Sequence, residues 1–219
     1  MQEGKGRGSE RIAGSELISI TLRRGVHMKL FFIRHGQTDW NMEGRIQGSH
    51  DSELNQTGII QAEKLGSKLL ESNHKVSKIY TSQQKRAVRT AEILSKAIDV
   101  EYIPAEGLQE MNLGKWEGLL WPEVQEKFPE KYNEWINNRR YTKTPGGESY
   151  QDVLERVMKT VQKIINENNS DVAIVTHGAV IMCLRCYITN TPFNEMRRFR
   201  TENAAIIEFD SESFNIIGE

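Results

Sequence analysis

Two alternating patterns of hydrophobic and polar residues run along the chain from residue 28 onward. Short runs of apolar and β-branched residues are typical of strands, and they predict strands at 29–33, 78–81, 100–103, 172–176, 204–209 and 214–217. Apolar residues three or four positions apart are typical of a helix face, and they predict helices after Thr57 and at 85–98, 149–168 and 179–188. Strands separated by helices favour an α/β fold, a three-layer, mostly parallel, doubly wound sheet with helices on both faces. The last two strands are candidates for an antiparallel edge.

Side chains that accept hydrogen bonds mark the starts of two of these helices. Ser149, followed three residues later by Asp152, resembles a capping box, in which each residue bonds the backbone N–H of the other. Thr57 is the predicted N-cap of the first helix, because a threonine hydroxyl accepts from the N–H groups of a first turn. The residues between the first strand and this helix, 35–55, are predicted to form a polar loop.

The segment from Asn112 to Gly147 interrupts the alternation of strands and helices. It is rich in aromatic residues: Trp116, Trp121, Phe128, Tyr132, Trp135 and Tyr141. Strand signals are weak here, so we expect a helical flap packed over the active-site edge of the sheet. For any single aromatic residue, simple packing and contact with a substrate remain equally good interpretations.

Residues 1–27 differ from the rest of the chain because they show no clear hydrophobic period. They lack the apolar core of a secretory signal and contain acidic residues that a transit peptide avoids. We therefore interpret 1–27 as an accessory extension or an artificial addition to the natural protein, poorly ordered, and 28–219 as the functional domain.

Composition excludes several classes of partner. The 219 residues include 29 basic and 30 acidic side chains, and this balance argues against a dedicated nucleic-acid binder. No apolar run reaches the length of a membrane span, so no membrane association is predicted. Cys183 and Cys186 lie within an apolar stretch at a spacing that shares one helix face. We expect buried, reduced thiols and a cytoplasmic location.

Two histidines follow predicted buried strands and carry the chemistry. They occur in the strings Arg34-His35-Gly36 and Thr176-His177-Gly178. A parallel sheet presents residues at the carboxyl ends of its strands to a ligand crevice. A histidine beside an arginine at such an edge suits a phosphoryl group, so His35 is the candidate nucleophile.

The candidate residues for the other parts of phosphoryl transfer also follow strands or lie in adjacent loops. Arg34 and Arg86 are candidate phosphate clamps, since a guanidinium bonds two phosphate oxygens at once, and His177, protonated or donating, would complete the cradle. Neutral donors are available from the loop after His35: Asn41, Gln47 and the backbone of Gly48. Glu110 is the candidate general acid. No metal-ligand spacing occurs, so neither a metal nor another cofactor is expected.

These residues lie in strings that resemble the signature of the histidine phosphatase superfamily, which has the phosphoglycerate-mutase-like fold. The main string runs from Phe32 through Arg34-His35-Gly36 to Asn41, and supporting blocks are Gly44-Arg45-Ile46-Gln47-Gly48, Tyr80-Thr81-Ser82 with Arg86-Ala87, and Val175-Thr176-His177-Gly178. The resemblance spans residues 28–209. It implies that His35 becomes a phosphohistidine and that Arg34, Arg86 and His177 hold the phosphate. It also implies that Glu110 donates a proton and later activates water.

Within this superfamily the chain is more similar to the small phosphatases than to the mutases. The strings 113–118 and 145–149 resemble those of the phosphatases, whereas mutases carry a longer insertion that grips a phosphoglycerate carboxylate. Arg139, Arg140 and Lys143 leave a mutase as an alternative, because they offer another basic grip. A second alternative is a catalytically silent module that binds a phosphorylated ligand.

The expected substrate is a small phosphorylated molecule whose identity the sequence leaves open. Selectivity is expected to reside in the aromatic segment, with Tyr141 and the basic residues near it as candidates. The oligomeric state, monomer or homodimer, is also open.

Overall fold

Five strands pair into one sheet within residues 27–72 and 74–214, the part of the chain that the computed structural model describes. The strands are β1 (Lys29–Arg34), β2 (Lys78–Thr81), β3 (Tyr102–Pro104), β4 (Val172–Thr176) and β5 (Ile206–Asp210). Their order is β3-β2-β4-β1-β5. The first four are mutually parallel, and β5 is antiparallel to β1 at one edge. The predicted α/β class, with a mostly parallel sheet and an antiparallel edge, is therefore confirmed.

Seven α-helices connect and cover these strands in the described residues. They are α1 (Asp39–Glu43), α2 (Gln56–Glu71), α3 (Lys85–Ile98), α4 (Trp121–Lys127), α5 (Pro129–Asn137), α6 (Tyr150–Glu167) and α7 (Gly178–Ile188). Three 3₁₀ segments complete the structure: Gly114–Trp116, Phe193–Phe199 and Ser211–Phe214. Apart from His27, the predicted extension 1–27 lies outside the described residues.

Helices cover both faces of the sheet because both faces of its central strands are apolar. Phe31 and Ile33 of β1 pack in a cluster with the apolar residues of α2 and α3. Leu30 and Phe32, which alternate with them, pack in a larger cluster with α6 and α7. Successive side chains of a strand point to opposite faces, so this alternation produces the three predicted layers.

The predicted aromatic flap contains α4, α5 and the 3₁₀ segment Gly114–Trp116 and joins the larger cluster. Trp116 is fully buried, with its ring centroid 5.3 Å from that of Trp135 and 6.3 Å from those of Trp121 and Tyr132. Edge-to-face and tilted aromatic pairs of this kind stabilise beyond the area that they bury. Packing is therefore the role of Trp116, whereas Tyr141 is 59% exposed.

Several predicted boundaries are wrong for local reasons. The N-cap of α2 is Asn55, not Thr57, because the Asn55 side chain accepts from the N–H of Gly58 at 2.9 Å. The predicted loop 35–55 contains α1, which begins with a capping box between Thr38 and Asn41. The predicted capping box at Ser149 and Asp152 is confirmed.

The third and last predicted strands also differ from the structure. Val100 donates its N–H to the carbonyl of Ser95, so it still completes the end of α3, and β3 starts later, at Tyr102. Phe214 ends a 3₁₀ segment and stacks on Phe32 with a centroid distance of 6.0 Å. Residues 215–217 of the predicted strand 214–217 lie outside the described residues.

The two cysteines lie buried in α7 as free thiols, as predicted. Burial raises the pKa of Cys183, and it raises the pKa of Cys186 to about 11. Both are therefore protonated thiols at neutral pH, and they act as small apolar side chains.

We predict that Trp116→Ala lowers the free energy of unfolding by about 3–5 kcal/mol, because it opens a large cavity among rings that cannot close it. Urea denaturation followed by circular dichroism measures this change. The control is Tyr141→Ala in the same segment, which is expected to stay within about 0.5 kcal/mol of the parent because its ring is exposed. Equal effects of the two substitutions would contradict the packing role of Trp116.

Candidate active site

Parallel pairing brings the two predicted histidines together at the carboxyl edge of the sheet. In the register of β1 and β4, Arg34 lies opposite Thr176, so the next residues, His35 and His177, emerge side by side. The N–H of His35 donates to the carbonyl of Thr176 at 3.0 Å. The two imidazole centroids are 5.2 Å apart. Ser82, which follows β2, completes the edge with its hydroxyl 2.8 Å from Nε2 of His177.

His35 is held as a neutral imidazole with one free nitrogen. Its ring is 2% exposed, and Nδ1 lies 2.7 Å from the carbonyl oxygen of Gly36. Because a carbonyl only accepts, Nδ1 carries the proton, and the lone pair is left on Nε2. Burial lowers the pKa of His35 well below its usual value, and the charges of Arg86 and Arg34 lower it further. A neutral imidazole with a free lone pair is the form that attacks phosphorus.

Arg34 and Arg86 flank this imidazole, and each keeps a buried N–H donor that has no partner among the described residues. Arg86, in the first turn of α3, donates to the carbonyls of His50 and Gly48 at 2.6 and 2.9 Å. Arg34 donates to the carbonyl of Thr201. The Nε atoms of both arginines are buried and have no partner among the described residues. Buried donors are nearly always paired, so these two indicate a site for an anion.

His177 is not among the residues that line the cavity, whereas His35 is. It is fully buried, and its Nδ1 has no partner among the described residues. Burial lowers the pKa of His177 well below its usual value, and the charge of Arg86 lowers it further. Of the two predicted forms, protonated or donating, the neutral donating one agrees with this pKa. Its contact with a phosphate stays a prediction.

The predicted neutral donors lie in the loop after His35, and their oxygens are already occupied. Oδ1 of Asn41 accepts from the side chain of Asn203 at 3.0 Å. Oε1 of Gln47 accepts from the hydroxyls of Thr38 and Ser52 at 3.0 and 2.6 Å. Because both amide oxygens are engaged, each side chain keeps its NH₂ group as a donor where it lines the cavity.

Gly48 holds this loop against the aromatic flap. Its φ is 53°, and a Cβ at this position would lie 2.1 Å from a carboxylate oxygen of Glu117. Only glycine fits both constraints without strain. The same carboxylate accepts from the N–H groups of Ser49 and Leu113 at 2.8 and 3.0 Å. Glu117 lies in the string 113–118 that resembles the small phosphatases, and the structure shows that it joins the loop to the flap.

Glu110 lines the cavity with its carboxylate fixed by two backbone donors. Oε1 accepts from the N–H of Met111 at 2.9 Å, and Oε2 accepts from the N–H of Ala179, in the first turn of α7, at 3.2 Å. Burial lowers the pKa of both guanidinium groups of the site, and the Glu110 carboxylate opposes that lowering. Gln84 links Glu110 to the loop after His35, since its side chain accepts from the N–H of Glu110 and donates to the carbonyl of Gly48.

An ion pair that the sequence did not reveal supports the backbone of Glu110. Arg156 donates to the carbonyls of Gln109 and Glu110 at 2.7 and 3.1 Å. It also bonds the carboxylate of Glu148 at 2.8 and 3.1 Å, and Glu148 accepts from the N–H of Asn112 at 2.8 Å. Glu148 lies in one of the strings that resemble the small phosphatases, but nothing in that string identifies its partner on α6.

The cavity has a volume of about 630 Å³ and joins the catalytic groups to the flap. Arg34, His35, Arg86 and Glu110 line it with Asn41, Gln47 and Gly48. Trp121, Trp135 and Arg139 of the flap line it too, so the flap does border the active-site edge. Of the selectivity candidates, Arg140 and Lys143 bond Gln151 and Asp152 instead, and Tyr141 is not among the lining residues.

The described residues contain no group of three side chains able to hold a metal ion. No helix among them is long and apolar enough to cross a membrane. The absence of a cofactor, the cytoplasmic location and the oligomeric state stay predictions.

A neutral histidine beside two arginines, at the carboxyl edge of a mostly parallel sheet, defines a phosphatase of the histidine type. The comparison with known families agrees: residues 30–216 match the histidine phosphatase superfamily (branch 1), and the chain belongs to this superfamily. The predicted enzyme class, a phosphoric monoester hydrolase, is confirmed by this membership and by the phosphatases among its relatives.

Three relatives illustrate the similarity. The metal-independent phosphoserine phosphatase of Arabidopsis thaliana is 35% identical over 164 residues, which are 74% of this chain and 68% of that protein. Phosphoserine phosphatase 1 of Hydrogenobacter thermophilus is 31% identical over 179 residues, 81% of this chain and 84% of that protein. The solved structure of Bacillus stearothermophilus YhfR has a TM-score of 0.75 and 32% identity, covering 83% of this chain and 90% of that one.

The lowered pKa of His35 predicts a specific dependence of stability on pH. The unfolded chain, with a histidine pKa of about 6.5, binds a proton more readily than the folded one. Stability is therefore complete above that pH and is lost as the pH falls below it, by about 1 kcal/mol per buried histidine between pH 6.5 and 5.5. Urea denaturation at the two pH values measures the loss, which should be smaller in His35→Gln by that amount.

The matched control for this prediction is His74→Gln, because His74 is exposed. It should lose as much stability over this pH interval as the parent. If His35→Gln also loses as much as the parent, His35 is not buried in its neutral form.

Proposed function

We propose that the chain hydrolyses small phosphomonoesters through a phosphohistidine intermediate on Nε2 of His35. One observation supports this above all: His35 is neutral and buried, with Nδ1 bonded to Gly36. Two guanidinium groups with unpartnered Nε atoms flank it. Neutralisation of phosphate charge and a preorganised nucleophile are the two main demands of phosphoryl transfer.

In the first step, the lone pair of Nε2 attacks phosphorus, and the bond from phosphorus to the alcohol oxygen breaks. Arg34 and Arg86 stabilise the charge on the non-bridging oxygens, with His177 and the amides of Asn41 and Gln47 as further donors. The leaving oxygen takes a proton from Glu110, which must be protonated when the substrate is bound. The hydrogen bond from Nδ1 to Gly36 stabilises the positive charge that develops on the ring.

In the second step, water attacks phosphorus on the opposite side from the ring, and the bond to Nε2 breaks. The carboxylate of Glu110, left by the first step, takes the proton of that water. Inorganic phosphate leaves, and both His35 and Glu110 return to their starting forms. No oxidant, reductant or metal takes part in this balance.

The test of this proposal is His35→Ala, which removes the nucleophile and is expected to lower kcat at least about 10³-fold with p-nitrophenyl phosphate. The parent protein, quenched during turnover of a ³²P-labelled phosphomonoester, should carry phosphate that acid releases and alkali does not. His74→Ala is the control and should keep both properties. Parent activity in His35→Ala would contradict the nucleophile assignment. Isomer exchange of 3-phosphoglycerate that outruns phosphate release would favour the mutase.

A second prediction concerns the supply of the proton. Arg156→Gln removes the hydrogen bond to the backbone carbonyl of Glu110 and leaves Glu148 without its ion-pair partner. The side chain of Glu110, the proposed general acid, is then no longer held in position. We expect kcat/KM for phosphoserine, whose alcohol needs a proton to leave, to fall about 10–100-fold. For p-nitrophenyl phosphate, whose phenol leaves without a proton, the fall should be a few-fold at most. Glu110→Gln should show the same split more strongly.

The control for this split is Arg198→Gln, which removes an exposed arginine whose partner, Glu195, is exposed as well. It should change neither substrate's kcat/KM. If Arg156→Gln lowers kcat/KM equally for both substrates, its role is general stabilisation and not the placement of Glu110.

A further inference from the structure

Four arginines line the cavity in addition to the two that flank His35. One of them, Arg45, forms an ion pair with Glu43, and the other three form none among the described residues. Arg139 follows α5, Arg197 lies in the 3₁₀ segment Phe193–Phe199, and Arg200 follows that segment directly. The only acidic side chain among the lining residues is Glu110, and its carboxylate already accepts from two backbone N–H groups. The wall of the cavity formed by Arg139, Arg197 and Arg200 therefore carries positive charge, and Glu110 is the one carboxylate that lines the cavity with it.

Arg139 differs from a surface arginine because it is 5% exposed. Its guanidinium carbon lies 4.3 Å from the centroid of the Trp135 ring. Its Nε is buried and has no hydrogen-bond partner among the described residues. Burial of a charge costs free energy unless the charge is paired, and stacking on an aromatic ring offsets only part of that cost. No ion pair among the described residues compensates this charge.

The two exposed arginines extend this positive wall. Burial lowers the pKa of Arg139 most, and the charge of Arg197 lowers it further. Burial likewise lowers the pKa of Arg34, and the charge of Arg200 adds to that effect. Arg34 and Arg139 thus each lie close enough to a further arginine to be affected by its charge, although Glu110 opposes the effect at Arg34.

Neighbouring arginines show that this chain pairs such side chains where they serve structure. Arg198 pairs with Glu195 at 2.8 Å, and Arg140 bonds Gln151 at 2.9 Å. None of the ion pairs in the described part of the chain involves Arg139, Arg197 or Arg200; the arginines that form them are Arg45, Arg89, Arg156 and Arg198. Arg139, Arg197 and Arg200 thus line the cavity without an ion pair, whereas Arg45, which also lines it, is paired with Glu43.

We propose that Arg139, Arg197 and Arg200 bind a second anionic group of the substrate, a carboxylate or another phosphate. This rests on the proposed function, because the phosphoryl group held at His35 places the rest of the substrate against this wall. A planar guanidinium bonds either anion through two parallel N–H donors, and exclusion of water by Trp135 strengthens the bond. Phosphomonoesters with one anionic group are then poor substrates, and those with two are good ones.

The test compares substrate pairs that differ in the second anion. Phosphoserine is paired with phosphoethanolamine and 3-phosphoglycerate with glycerol 3-phosphate, to test a carboxylate; fructose 1,6-bisphosphate is paired with fructose 6-phosphate, to test a phosphate. In the parent, kcat/KM should favour the member with two anionic groups in at least one pair about 10–100-fold, the size of a charge-assisted hydrogen-bonded pair. In Arg139→Gln combined with Arg197→Gln, this ratio should fall to within about threefold of one.

A general loss of phosphoryl transfer lowers kcat/KM equally for both substrates of a pair and leaves their ratio unchanged. The ratio therefore reports only the recognition of the second anionic group. Arg140→Gln and Arg198→Gln are the matched controls and should keep the parent ratio, because they lie next to the proposed residues but bond other protein side chains. A ratio near one for every pair in the parent, or a parent ratio retained in the double variant, overturns the inference.

A binding measurement separates this inference from the phosphatase mechanism. Calorimetry with His35→Ala protein, which cannot turn the ligands over, should show phosphoserine binding about tenfold more tightly than phosphoethanolamine. The difference should vanish when Arg139→Gln is added. Equal binding of both ligands overturns the inference even if the parent is an active phosphatase. Preferential binding without any acid-labile phosphoprotein in the parent would instead overturn the phosphohistidine mechanism.

Discussion

Hydrogen bonds between β1 and β4 hold His35 beside His177, and every other part of the site is placed relative to this pair. The N–H of His35 donates to Thr176 at the end of the ladder, so the proposed nucleophile is fixed through its own backbone. A slip of one residue would exchange the two faces of β1 and would move Phe31 and Phe32 into each other's clusters. The two apolar faces thus fix the register, and the register fixes the site.

The site gathers positive charge in a buried place, and nearby carboxylates such as Glu110 offset this charge only in part. Burial lowers the pKa of His35, and the charges of Arg86 and Arg34 lower it further and so keep its ring neutral. The Nε atoms of these arginines lack partners among the described residues. Such an arrangement costs folding free energy when the site is empty and is compensated when an anion enters. Arg139, which also lines the cavity and has an unpartnered Nε among the described residues, repeats this arrangement, and this is why we assign it a ligand.

The sequence allowed prediction of those features that depend on local pattern. Strand ends followed by His35 and His177 identified the site, and alternation of strands with helices identified the sheet, because both signals lie in neighbouring residues. The Arg156–Glu148 pair was missed because its effect on Glu110 depends on contacts between distant segments, and Arg139 was only one of several basic candidates. Thr57 and Asn55 are both good caps, and only the course of the chain after α1 decides between them.

The position of β1 in the sheet has a consequence for biosynthesis. It is the earliest of the described strands, yet its neighbours on both sides, β4 and β5, are the latest. While the ribosome synthesises the intervening segments, both backbone edges of an apolar strand remain open to other chains. The proposed catalytic site is complete only near the end of translation, so partial chains that stop before β4 contain His35 but lack the segments that surround it.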